Sequence, residues 1–196
     1  MTWVMNIDNF RSEYTGSIII DAGGNGTIYE LPNSNKVMKI STVVYLHLND
    51  HRYESVYDKC LNEYRYKAVA NLMATKEDHP EIPIANIYDV FFVHSPNQGL
   101  YPHRIFSGEG NASARWPSKD GYMYIVTVME KLFPLPNQEG NYIEEVTQSL
   151  QECHTLQECH ITPNDATPMI RQLGGDITEL VLVDYDDWLV PSIGEL

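Results

Sequence analysis

Residues 21–40, DAGGNGTIYELPNSNKVMKI, constrain the fold more than any other stretch of the chain. Gly23, Gly24 and Gly26 allow a sharp backbone reversal, because glycine reaches dihedral angles closed to other residues. TIYEL resumes an extended run and PNSN is turn chemistry. KVMKIS then alternates, with Val37 and Lys39 on one face and Met38 and Ile40 on the other. With the apolar SIIID of residues 17–21 in front, the spacing predicts three antiparallel strands within residues 16–42. Lys39 stands in the last of them, just behind a glycine loop. Two readings of it are open: a cation facing a phosphate, or a lysine on the wet face of a hairpin.

The remaining elements follow from periodicity. Tyr57, Cys60, Leu61, Tyr64, Ala68 and Leu72 recur at helical spacing with no Pro or Gly between them, which predicts a helix over 51–75. PEIPIANIYDVFFVHS predicts a strand near 86–94, and YMYIVTVMEKL a strand buried on both faces. Residues 95–120 are rich in Gly, Ser, Asn and Pro and read as a loop or insertion. A second helix is expected over 142–158, and MIRQL, Gly-Gly-Asp and ELVLVD predict a closing hairpin.

Charge is uneven. The 196 residues carry −14, and residues 137–196 hold twelve Asp/Glu against one basic residue, Arg171. Such a field repels nucleic acid and favours basic partners, although acidic surfaces also serve solubility alone. Three cysteines (60, 153 and 159) are too few for a disulfide framework, and no apolar run approaches the ~20 residues that span a bilayer. The expected setting is a reducing cytoplasm, with no membrane partner and no direct nucleic-acid partner. LQECHTLQECHI, residues 150–161, duplicates a Cys-His pair. An offset of six residues turns a helix by ~240°, so one helix cannot aim both pairs at one metal. The expectation is a duplication that lengthens the helix, with no metal site.

The order β-β-β-α-β-β, then a helix and a hairpin, resembles a protein kinase, most closely the early protein kinases of T-seven-type bacteriophages. Gly24-Asn25-Gly26, NKVMKI with Lys39, and IPIANIYDV carry the resemblance, which extends over residues 15–188. It implies an α+β fold: an antiparallel-sheet N-lobe with one main helix, residues 1–136, and a reduced acidic C-lobe, residues 137–196. It also implies ATP and Mg²⁺ as cofactors. Gly24 and Gly26 would cover the nucleotide phosphates, Lys39 would neutralise them, and Glu63, with Glu54 second, would hold Lys39. Met129-Glu130-Lys131-Leu132 would form the hinge that meets the adenine edge, and Asp184 would take the metal-binding position.

The same alignment removes the catalytic machinery. His160 keeps the loop histidine, but Thr162 falls where the catalytic aspartate belongs and Thr167 where the metal-binding asparagine belongs. A threonine hydroxyl has no useful basicity near neutral pH. Asp165 is the substitute base if the register shifts. Twelve residues follow Asp184, so no activation segment is expected. Three functions stay open. The first is a phage-encoded, pseudokinase-like protein that binds and modulates a host protein, such as a nucleic-acid-handling or defence enzyme. Its acidic surface would include Glu179, Asp184, Asp186 and Asp187. The second is a minimal Ser/Thr kinase using Lys39, Glu63, Asp165 and Asp184. The third is an ATP-sensing pseudokinase.

Overall fold

The computed structural model describes residues 4–23, 26–41, 44–45, 55–96, 99–107, 122–135, 142–164, 166–174, 177–185 and 188–191. The fold is α+β, a mostly antiparallel sheet with a few helices. In chain order the elements are β1 (Val4–Asn6), α1 (Ile7–Glu13), β2 (Ile18–Gly23), β3 (Gly26–Glu30), β4 (Lys36–Ser41), β5 (Val44–Tyr45) and α2 (Ser55–Asp78). Then come β6 (Ile87–Ser95), a 3-10 turn (Pro102–Arg104), β7 (Tyr122–Glu130), β8 (Phe133–Pro134), α3 (Tyr142–Gln151), α4 (His154–Glu158), β9 (Thr167–Gly174) and β10 (Ile177–Val183). The chain forms two compact units: Met1–Tyr66 with Asp89–Met129, and Lys67–Tyr88 with Glu130–Leu196. The charge boundary at residue 136 is therefore not the boundary of compactness. The second unit borrows the end of α2 and the segment after it.

In the first unit the strands run in the order β1-β6-β7-β4-β3-β2, with β5 paired to β7. β2, β3 and β4 form the expected antiparallel meander, with Ile28 opposite Lys39 and Tyr29 opposite Met38. Their second turn works because Asn33 accepts a left-handed φ of 54°, which an Asn tolerates. β1 joins β6 in parallel, Val4 beside Phe92. Asn6 caps α1 by accepting from the Asp8 N–H, one of the donors a helix start leaves open. That helix buries Ile7 and Phe10. Phe10, fully buried, meets Tyr14, Phe91 and Phe106 with ring centroids 5.1, 6.2 and 5.5 Å away.

The segment read as a plain loop is partly built into this core. Leu100 and Ile105 are fully buried. The Tyr124 hydroxyl donates to the Leu100 carbonyl at 2.8 Å and accepts from its N–H at 2.7 Å. The Tyr29 hydroxyl donates to the Pro102 carbonyl at 2.6 Å. Buried backbone groups need such partners, and two tyrosines supply them where no ladder does.

In the second unit β9 and β10 form the expected hairpin, and β8 extends it to the order β10-β9-β8. Two isolated bridges stitch distant segments together. Ile84 pairs with Leu182, whose N–H reaches the Pro83 carbonyl at 2.8 Å, and Thr162 pairs with Leu189. Leu72, Ile82, Ile84, Leu156, Leu182 and Trp188 are fully buried. Trp188 stands edge-on to Tyr185, centroids 4.9 Å apart.

The single helix expected over 142–158 is two helices, α3 and α4, broken at Glu152 and Cys153. Cys153 is extended, φ −56° and ψ 128°. The reason lies in the repeat itself. Leu156 and Cys159 of the second copy are buried. A continuous helix would turn them ~240° from Leu150 and Cys153 of the first. The break re-aims them inward. The duplication therefore does not lengthen the helix.

Candidate functional site

The meander explains Gly26 without a ligand. Gly26 faces Ser41 across the β3–β4 ladder, and a Cβ there would lie 2.6 Å from the Ile40 carbonyl oxygen and 3.2 Å from the Ser41 Cα. Backbone, not a flexible side chain, blocks it. Gly26→Ala is expected to cost about 1–3 kcal/mol, the usual cost of overpacking. Gly23→Ala is the control, because a Cβ at Gly23 meets nothing within 4 Å. Urea unfolding of the two variants measures this, and equal stabilities would contradict it.

Two strands beyond the loop, Lys39 is half-buried on β4, flanked by the fully buried Met38 and Ile40. Lys39 belongs to the first unit; Glu130, Glu179 and Asp184 belong to the second. Glu63 falls within α2, its side chain outside the described part. Gly24, Asp165, Asp186 and Asp187 lie outside the described residues.

The second unit brings Glu130 and Glu179 together through a residue the sequence reading passed over. Arg171, on β9, is half-buried and forks onto both carboxylates. Its Nε donates to both Glu130 oxygens at 2.9 and 3.0 Å, its Nη2 bonds Glu130 Oε1, and its Nη1 reaches Glu179 at 2.5 Å. Nη2 also donates to the Ile84 carbonyl at 2.8 Å. Glu130 accepts from the Asn86 backbone N–H at 2.7 Å, and its own N–H donates to the Asn86 carbonyl at 3.0 Å. Bidentate arginine–carboxylate geometry is the strongest form of such a pair.

Burial alone would lower the Arg171 pKa, but the hydrogen bonds and charges of Glu130 and Glu179 outweigh it and hold it above its usual value. Close by, the Lys76 ammonium donates to the Pro80 and Ile82 carbonyls, both at 2.6 Å. Burial, with the Arg171 charge, pulls the Lys76 pKa down. One signal pointed to Arg171. It is the sole basic residue among the last sixty and sits inside a predicted strand.

Glu130 is thus engaged at its carboxylate and its N–H, and Glu179 at its carboxylate. The resemblance gives the first to the nucleotide, and the expected acidic surface gives the second to a partner. Asp184, half-buried at the end of β10, takes a left-handed φ of 78°, and His160 one of 53°. Only Asn33 shares that conformation among the described non-glycine residues. Such backbone costs of order 1–3 kcal/mol, and it gathers at functional positions.

Thr162 is exposed and its backbone is fastened, donating to the Leu189 carbonyl at 2.9 Å and accepting from the Leu189 N–H at 3.0 Å. Thr167, also exposed, begins β9. Glu144, Glu145, Glu152 and Glu158 are exposed on and beside α3 and α4. His154 approaches Glu158 at 3.3 Å. Among the described residues, no three His, Cys, Asp or Glu side chains converge as a metal site. No described helix is long and apolar enough to cross a membrane. No protein-family model matches the chain, and no curated protein matches it.

Proposed function

We propose that this is a kinase-like protein of the bacteriophage type that transfers no phosphate and acts by binding a host protein with a basic surface. The observation that carries the reading is the state of Arg171. The only basic residue of 137–196 is committed to Glu130 and Glu179. The exposed Glu144, Glu145, Glu152 and Glu158 therefore have no Lys or Arg from that segment to offset them. A field of one sign steers an oppositely charged partner and speeds its approach. The threonines at 162 and 167 support the loss of phosphate transfer, since neither offers a base nor a carboxylate for Mg²⁺.

The test is capture from a bacterial host lysate, then titration of the captured protein against wild type and a variant with those four glutamates changed to glutamine. The expected loss of affinity is at least tenfold, and binding should weaken as salt rises. Undiminished binding in the quadruple variant and in high salt would count against the reading.

A second reading, a nucleotide-responsive pseudokinase, has the left-handed backbone at His160 and Asp184 in its favour. Calorimetry with ATP and Mg²⁺ on wild type and Lys39→Ala separates the two, with labelled phosphate followed in the same sample. Heat lost in Lys39→Ala supports the second reading. Transfer of phosphate would overturn both and make Asp165 the suspected base.

A further inference from the structure

The second unit carries two bare apolar side chains at the end of its hairpin. Leu173, beside the last residue of β9, and Ile177, the first of β10, are 59 and 66% exposed. Ile177 pairs with Gly174 and Thr178 with Gln172, so the ladder passes over Leu173. Bulges of this kind re-aim a side chain and gather beside functional sites. Gly174 turns the chain here with a φ of 116°, and a Cβ on it would meet nothing within 4 Å. The glycine serves the backbone alone, in open space.

The same unit is strongly acidic, with sixteen Asp/Glu against four Lys/Arg. Two of the four are turned inward. Arg171 is committed to Glu130 and Glu179, and Lys76, 9% exposed, to the Pro80 and Ile82 carbonyls. Asp176 stands between Leu173 and Ile177 in the sequence. α3, with Glu144 and Glu145 exposed in its first turn, packs on β9 and β10. A partner must therefore bring apolar surface and positive charge together. A phosphate backbone or an acidic chain is repelled, and a purely basic chain leaves Leu173 and Ile177 in water. A basic amphipathic helix meets both demands, with an apolar stripe flanked by Lys and Arg.

We infer that the end of the β9–β10 hairpin is the apolar anchor of the acidic interaction, and that the partner meets it with a basic amphipathic helix. The inference rests on the acidic interaction proposed for this unit and adds a contact that salt does not weaken. Leu173 and Ile177 receive the apolar stripe of the helix, and its Lys and Arg lie toward the carboxylates. The carboxylates speed the approach, and the two apolar side chains, buried on contact, slow the departure.

Calorimetry on the full chain tests this with two peptides of identical leucine and lysine content. In one the leucines recur at i, i+3, i+4 and i+7, and in the other the order is shuffled to remove the period. The expected result is at least tenfold tighter binding of the periodic peptide by wild type, as two apolar side chains leave water. Leu173→Ser with Ile177→Ser should abolish that preference and leave weak, salt-sensitive binding of both peptides. Changing Glu144, Glu145, Glu152 and Glu158 together to glutamine should weaken both peptides and keep the preference. The ratio of the two affinities thus reads the hairpin end, and their common level reads the acidic face. A wild type without the preference overturns the inference, as does a preference that survives in the double variant. Undiminished binding of both peptides by the quadruple variant removes the acidic interaction, and this inference with it, whatever the ratio. If the double variant fails to fold, amide exchange on wild type decides. Slowing at Leu173 and Ile177 with the periodic peptide alone supports the anchor, and equal slowing with both peptides, or none, overturns it.

Discussion

Arg171→Leu is expected to lower stability by about 3–5 kcal/mol, the cost of leaving a buried carboxylate without its cation. The Glu130 side chain is 9% exposed and that of Arg171 11%, so water does little to replace the lost partner. Glu179, 36% exposed, can turn outward and contributes little to the loss. The Ile84 carbonyl loses its Arg171 donor as well. A chain of this size should lose on the order of 10 °C in Tm. The companion variant is Arg171→Leu with Glu130→Leu, which removes both charges and should recover much of the deficit. Urea titrations of wild type, single and double variants measure the three stabilities. A single variant within 1 kcal/mol of wild type would show that the pair is not what holds Glu130, β9 and the residue-84 segment together.

Alkaline pH should unfold the protein in a cooperative step. Burial raises the Tyr29 pKa to about 12, and burial with the Glu13 and Asp89 charges raises Tyr14 to about 12. Tyr185 is pushed upward too, chiefly by burial, and its hydroxyl serves the Ala85 N–H and the Leu182 carbonyl. A folded pKa above the unfolded value of 10 means that folding favours the neutral phenol. That stabilisation is complete below pH 10 and is lost as pH climbs from 10 towards 12. For Tyr29, 2% exposed, the shift corresponds to about 2–3 kcal/mol. In a tyrosinate absorbance titration Tyr14, Tyr29 and Tyr185 should ionise only with the collapse of near-ultraviolet dichroism. Smooth ionisation of all of them with the dichroism intact would contradict this.

Legibility followed the physics of each signal. The β2–β3–β4 meander announced itself because glycine, the PNSN turn and alternation all agreed. β7 was legible from its β-branched and aromatic run. α2 was placed by its spacing, although its C-terminal end moved to Asp78, since capping and fraying are only weakly encoded, and its expected start at residue 51 lies outside the described residues. β1 and β8, three and two residues long, carry no period to read. They exist because β6 and β9 offer them open edges. The break at Cys153 was hidden because local propensity runs straight through it, and only the burial of Leu156 and Cys159 demands it.

The site divides in the same way. Gly26 was picked out by composition, but its reason, the nearness of the Ile40 carbonyl, is a fact of pairing. Glu130 was chosen through resemblance, whereas its partner Arg171 lies 41 residues away. Sequence spacing cannot show a pairing made by two strands that meet only after folding.

The Ile84–Leu182 bridge has a consequence in the order of synthesis. The ribosome delivers Ile82, Ile84 and Ala85, all fully buried in the finished protein, about a hundred residues before Leu182. At 5–20 residues per second that interval is roughly 5–20 s. Throughout it the second unit lacks its hairpin, its arginine and the Leu189 segment that fastens Thr162. Nascent chains therefore carry this apolar segment without its partner strand until Leu182 has been made, and it is there that a chaperone has both the surface and the time to hold on.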